Sequence, residues 1–141
     1  MKPPDESVYD LVRQWLAKAE EDFGVADHLL SENTPYLSAV GFHAQQSAEK
    51  FLKAFLVRHQ VDFPKTHDLD EILDLVATVD DALAEPLRCA IALTPYVVHP
   101  RYLSDFPTVT AQEAKKAVGL AAKVRDAVLL SLKDYLGEIR S

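Results

Sequence analysis

Glycine is scarce in this chain and cysteine is nearly missing, with four of the first and one of the second in 141 residues. So few glycines leave no glycine-rich loop to wrap a phosphate and no paired glycines to turn β-hairpins. The lone Cys89 excludes an internal disulfide framework, and its place in the apolar run LRCAIAL marks it as an inert core thiol. No apolar run of signal or membrane length occurs, so the expected compartment is a reducing cytoplasm, with no membrane contact. Bases are also in short supply, at 15 Lys and Arg against 22 Asp and Glu, for a net charge of -7. That balance disfavours sequence-independent attachment to nucleic-acid backbones or anionic lipid, so any contact with RNA must be local. Histidines 28, 43, 59, 67 and 99 have no spacing that encodes a metal site, and neither metal nor cofactor is expected.

What is present is helical periodicity over the length of a single domain, residues 1–141, large enough to fold on its own apolar core. A first helix is expected from about Asp5 to Leu30, with Val8, Leu11, Val12, Trp15, Ala19, Phe23, Ala26 and Leu30 on one stripe and Asn33-Thr34-Pro35 at its end. A second spans about Tyr36 to Gln60, and a third begins at a Thr66 or Asp68 cap and ends near Val79. A fourth runs from about Asp81 to Val97, bent or stopped by Pro95, which lacks an amide donor. Thr110 and Glu113 form a capping box that opens a last helix reaching about Ile139. The fold expected is all-α, an antiparallel up-and-down bundle of about five helices, with Trp15, Phe23, Phe51, Phe55 and Leu120 largely buried.

The second helix is the unusual one. At 3.6 residues per turn, Val40, Ala44, Phe51 and Phe55 share one side, while His43, Gln46, Lys50 and Lys53 share another. A solvated face ordinarily alternates Glu and Lys, whereas this one offers an imidazole, a carboxamide and two amines, which suits a polar binding groove with wet charged ends. The same pattern also suits a network that knits helices together through Gln45, Gln46 and Glu49, or a dimer contact. Lys65, Thr66 and His67 follow in a Pro-Lys-Thr-His-Asp loop, where Thr66 and Asp68 can cap the third helix or its free amides can meet an anion beside Lys65. Farther on, Tyr96, His99, Arg101, Tyr102 and Asp105 lie on a long loop of the kind that carries function more often than connection alone.

Gln45-Gln46, Glu49-Lys50, Lys53 and Lys65-Thr66-His67-Asp68-Leu69 together resemble the signature of the HEPN family, small helical proteins often encoded beside minimal nucleotidyltransferases. Residues 15–30, WLAKAEEDFGVADHLL, resemble that family's first helix, and Pro100-Arg101-Tyr102 with Asp105 resembles its Ala-Arg-Tyr-Pro-Asp loop. The resemblance implies a nucleotidyltransferase as protein partner and a homodimer, which a long helix with polar residues amid apolar ones also suits; the loop 96–106 is expected nearest the second subunit. It implies a ligand site for a nucleotide or other polar molecule built from His43, Gln46, Lys50, Lys53, Lys65, Thr66, His67, His99, Arg101 and Tyr102. HEPN ribonucleases carry an Arg followed four to six residues later by a His, and this chain has no such pair: His99 precedes Arg101. The expectation is therefore a non-catalytic binding protein with no catalytic residues. A divergent endoribonuclease toxin using Arg101 with His99 or His67 is the alternative, and a structural adaptor that binds protein is the third reading. Seven acids and no base between Asp68 and Glu85 form a solvated acidic surface or a docking face for a basic partner.

Overall fold

The protein, described here as a computed structural model, is given over residues 4–97 and 108–140, with side chains over 6–97 and 108–137. Its elements are α1 (Pro4–Ser31), α2 (Leu37–Arg58), α3 (Leu69–Val79), a single turn α4 (Asp81–Ala84), a 3₁₀ helix (Glu85–Tyr96) and α5 (Ala111–Arg140). No strand occurs among the described residues, and the all-helical bundle expected from the periodicity is what forms. None of the described helices is long and apolar enough to cross a membrane.

Local chemistry sets where the long helices stop. At the end of α1 the Asn33 backbone is left-handed, at φ 52°, while the amides of Thr34 and Asn33 turn back to the carbonyls of Leu29 and Leu30 at 3.2 Å each. This is a Schellman closure, and asparagine tolerates the left-handed position better than most residues. The end of α2 repeats it with Gln60 at φ 56° and Val61 bonded to Leu56 at 2.9 Å, although glutamine has no such tolerance. The capping box of α5 is also made: Thr110 Oγ1 accepts from the Glu113 amide and Glu113 Oε1 accepts from the Thr110 amide, each at 3.1 Å.

The central element is α2, which packs against α1, α3, the 3₁₀ helix and α5. Every residue from Phe51 to Leu56 is buried, so at this level the helix is enclosed on all sides. The antiparallel contacts of α1 with α2 (Asp22 to His43, Trp15 to Lys53) and of α1 with α5 (Glu20 to Arg125, Tyr9 to Tyr135) leave α2 and α5 running in the same direction. The loop 59–68 returns along α2 to start α3, which the 3₁₀ helix then crosses in the opposite sense, Arg88 spanning Asp70 at 3.1 Å and Asp74 at 2.8 Å. Those carboxylates, the Asp74 hydrogen bond foremost, raise the pKa of the Arg88 guanidinium.

Three expectations need correction. The segment after Asp81 keeps α geometry for only four residues and then runs as 3₁₀ through Pro86 and Pro95, which cannot donate to an α ladder. Cys89 is exposed, not a core thiol, because a 3₁₀ helix repeats every three residues and its buried stripe is Leu87, Ala90 and Leu93. Trp15, Phe23 and Leu120 are half-buried, unlike Phe51 and Phe55 at 0% and 2% exposure. Trp15 lies against the Lys53 ammonium and Phe63, and Phe23 lies under the Arg125 guanidinium, so both rings face a neighbouring cation at the edge of the core.

Two stability changes follow from this packing. Phe51→Ala should cost about 3–5 kcal/mol, read as a lower urea midpoint with an unchanged denaturant slope. Gln60→Gly should raise stability by about 1 kcal/mol, because glycine takes the left-handed position without the steric cost borne by an L side chain; a lower midpoint would contradict this reading.

Candidate functional site

The polar stripe of α2 does not face open water. It lies between α1 and the loop 59–68, and two carboxylates organise it. Glu49, 3% exposed, is reached by three neighbours: Lys53 Nζ at 2.9 Å on Oε2, His67 Nδ1 at 2.8 Å on Oε1 and Gln45 Nε2 at 3.1 Å on Oε1. Asp22 of α1, 9% exposed, meets His43 Nδ1 at 2.8 Å through Oδ1 and Lys50 Nζ at 2.5 Å through Oδ2. The two arrangements repeat a pattern, one carboxylate bridging a lysine and the Nδ1 of a histidine. In each histidine Nε2 is the nitrogen left for a ligand.

The difference between them is exposure. Lys53 is 8% exposed at its side chain and also donates to the Thr66 carbonyl at 3.1 Å, with Trp15 and Phe63 over its ammonium at 5.8 and 5.4 Å. Its charge is fully engaged, so the expectation of a wet Lys53 end is corrected. Lys50 keeps 24% of its side chain open and forms, with Leu11, Gln14, Trp15 and Lys18, the wall of a cavity of about 290 Å³. These four α1 residues recur with Asp22 at helical spacing, so one face of α1 supplies both the cavity wall and the carboxylate behind Lys50.

The loop residues serve α3 and α2. Asp68 is the N-cap, accepting from the Asp70 amide at 3.0 Å; Thr66 Oγ1 accepts from the Asp68 amide and donates to Glu71, both at 3.1 Å. Gln45 holds the His67 carbonyl at 3.2 Å, so three α2 side chains fix the loop's path. Of the residues expected in the site, His43 and Lys50 thus meet on Asp22, while Lys53, Thr66 and His67 gather around Glu49, with Gln46 attached through its 2.7 Å bond to Gln45. Lys65 is exposed at the edge of the loop. His99, Arg101 and Tyr102, with Asp105, lie outside the described residues, but Tyr96 before them lies on α2, where a Cβ at Gly41 would sit 2.7 Å from its ring. Burial there, with Glu113 adding to it, raises the Tyr96 pKa.

Asp22, Gln14 and Lys18 are the contributors that sequence reasoning passed over. Their signal in the sequence is three polar residues on the same helical face as Leu11 and Trp15, inside a stripe whose apolar members alone suggest packing. His59, exposed beyond the end of α2, takes no part; partial burial and then Arg58 lower its pKa, against an opposing pull from Asp80. Among the described residues no three His, Cys, Asp or Glu side chains gather as a metal site. Chemically, the groove can hold an anion at Lys18 and Lys50, pack a flat ring against Trp15 and exchange hydrogen bonds with Gln14.

Lys53 and Lys50 should separate on substitution. Lys53→Met should cost about 3 kcal/mol, at the low end for removing one partner of a buried pair because His67 and Gln45 still hold Glu49. Lys50→Met should cost less than Lys53→Met in the same denaturation assay, since water reaches Asp22 and His43 more readily; equal losses would mean that the two ends are equally closed.

Comparison with known proteins gives a consistent picture. The HEPN domain family model matches residues 12–133. Among solved structures, ST0689, described as an archaeal HEPN homologue, superposes with a TM-score of 0.66 at 22% identity over 86% of this chain and 97% of its own, a likeness of fold. TT1696 from Thermus thermophilus superposes with a TM-score of 0.65 at 31% identity over 83% of this chain and 94% of its own. A comparison with curated proteins returned no match.

Proposed function

The chain belongs to the HEPN family, and from that premise we propose that it is a non-catalytic binding member that holds a nucleotide in the α1/α2 groove. The supporting observation is the cavity walled by Trp15, Lys18, Gln14 and Lys50, which Lys50 connects to the Asp22–His43 pair. A base stacks on the half-buried indole, an interaction worth about 1–3 kcal/mol that tolerates any base identity. Phosphate oxygens take the Lys18 and Lys50 ammonium groups; Lys50 has three donors and so serves Asp22 and a phosphate together. Gln46 and the second ring nitrogen of His43, whose side chain is 30% exposed, supply hydrogen bonds at the ribose or phosphate end. Lys53 acts from behind, by keeping Glu49 and the loop 59–68 in place.

In this reading the protein works as a homodimer beside a nucleotidyltransferase partner, and the transfer chemistry belongs to the partner. Cleavage of RNA is the second reading, favoured by the carboxylate-oriented His67, whose side chain is 60% exposed. The missing forward Arg-to-His spacing weighs against it.

Trp15 is the single tryptophan, so intrinsic fluorescence reports this groove directly. Titration with ATP should change its emission saturably, and Lys18→Gln should weaken the apparent affinity several-fold while leaving the melting temperature within a degree or two, because Lys18 is exposed. Unchanged affinity in that variant, or no saturable change at all, would remove the groove as a nucleotide site.

A further inference from the structure

A second cavity lies on the other flank of α1, where it runs beside α5. Both helices pack chiefly on α2 and touch one another lightly, which leaves a space of about 410 Å³ between them. Leu16, Ala17, Leu129 and Leu136 make its apolar lining, and Tyr9 and Arg13 make its polar end. At 100° per residue these α1 positions fall on the side of the helix away from Leu11, Gln14 and Lys18, so the two cavities are separate.

Two groups at this end lack what such groups usually have. Tyr9 is 7% exposed, and its buried hydroxyl has no hydrogen-bond partner among the described residues, a rare condition for a native polar group. Its ring is already fixed, with Tyr135 edge-on at 5.7 Å and Arg13 over its face at 5.9 Å. Arg13 forms no ion pair among the described residues, whereas Glu20, the only carboxylate among the described residues of the wall, is engaged at both oxygens by Arg125 Nε at 3.1 Å. That engagement, the Glu20 hydrogen bond foremost, raises the Arg125 pKa, and it gives Glu20 a cationic partner other than Arg13. The cavity therefore offers an apolar body and a cation with no ion pair among the described residues, and the Tyr9 ring that lines the same end carries a buried hydroxyl still to be partnered.

We infer that the α1/α5 cavity is a binding site for a small amphipathic organic anion, whose apolar part lies on Leu16, Leu129 and Leu136 and whose anionic oxygens take the Arg13 guanidinium and the Tyr9 hydroxyl. The volume lies near the lower end of the range for ligand pockets, ~300–1,000 Å³, which suits a chain or single-ring carboxylate. A neutral apolar molecule would leave both polar groups unmet. A second protein chain laid over the seam would bury the Arg13 charge unless it brought a carboxylate of its own.

The test uses the whole chain with two probes: 8-anilinonaphthalene-1-sulfonate, which carries rings and a sulfonate, and octanoate as competitor. One sulfonate probe should bind per chain with a rise in fluorescence, and octanoate should displace it while octanol displaces it at least tenfold less well. Arg13→Gln should raise the octanoate Kd at least tenfold, and Ala17→Trp, at an exposed position facing the cavity, should abolish probe binding. Tyr9→Phe should weaken octanoate several-fold yet raise the melting temperature of the free protein, since it removes a buried hydroxyl that has no partner. Lys18→Gln should leave octanoate binding unchanged, which keeps this result distinct from the nucleotide groove. No saturable probe signal, equal displacement by octanol, or affinities untouched by both Arg13→Gln and Ala17→Trp would overturn the assignment, the last two pointing to nonspecific apolar adsorption.

Discussion

The buried carboxylate of Glu49 is the constraint on which the polar half of this bundle depends. It sits on α2 just before the enclosed stretch 51–56, on the buried side of the helix, and an unpaired ion there would be strongly unfavourable. Lys53 on the next turn supplies the countercharge, Gln45 one turn back supplies a carboxamide, and His67 comes from the returning loop. Because Lys53 and Gln45 also bind the carbonyls of Thr66 and His67, satisfying Glu49 fixes the path of the loop that starts α3. The charge at the centre of the fold thus positions an exposed segment well removed from it in sequence.

Asp22 repeats the arrangement nearer the surface, and that shift in depth divides structural from available groups. The same chemistry, a carboxylate shared by a lysine and a histidine Nδ1, closes over Lys53 but leaves Lys50 bordering a cavity. The lysine that can meet a ligand is the one whose carboxylate is supplied by the neighbouring helix α1, because that pair lies along the seam and not within it. A ligand at Lys18 and Lys50 would share an existing ion pair, so its binding would be coupled to how α1 lies on α2.

The 3₁₀ helix has a comparable role on the opposite side. Its length, 12 residues, exceeds the usual short run and is set by two prolines and by an apolar repeat of three. It ends with Tyr96 lying against α2 at Gly41, two residues before His43, where any side chain larger than hydrogen would collide with the ring. The Leu69 amide donates to Thr94 at 3.3 Å, so this segment also holds the start of α3.

The sequence by itself determined the helical class, the ends of the long helices and the capping box at Thr110 and Glu113, and it carried the HEPN signature. These features depend on residues within one or two turns of each other, where spacing and backbone preference act directly. It also marked the α2 stripe as chemically unusual. Only the tertiary structure decided what that stripe does, since Lys50 finds Asp22 28 residues away and His67 finds Glu49 18 residues away. Spacing on one helix cannot indicate which polar group a neighbouring helix will bring, nor how deeply the pair will lie. For the same reason Cys89 looked internal in an apolar run and proved exposed: once the backbone tightened to three residues per turn, burial followed Leu87, Ala90 and Leu93, and the thiol turned outward.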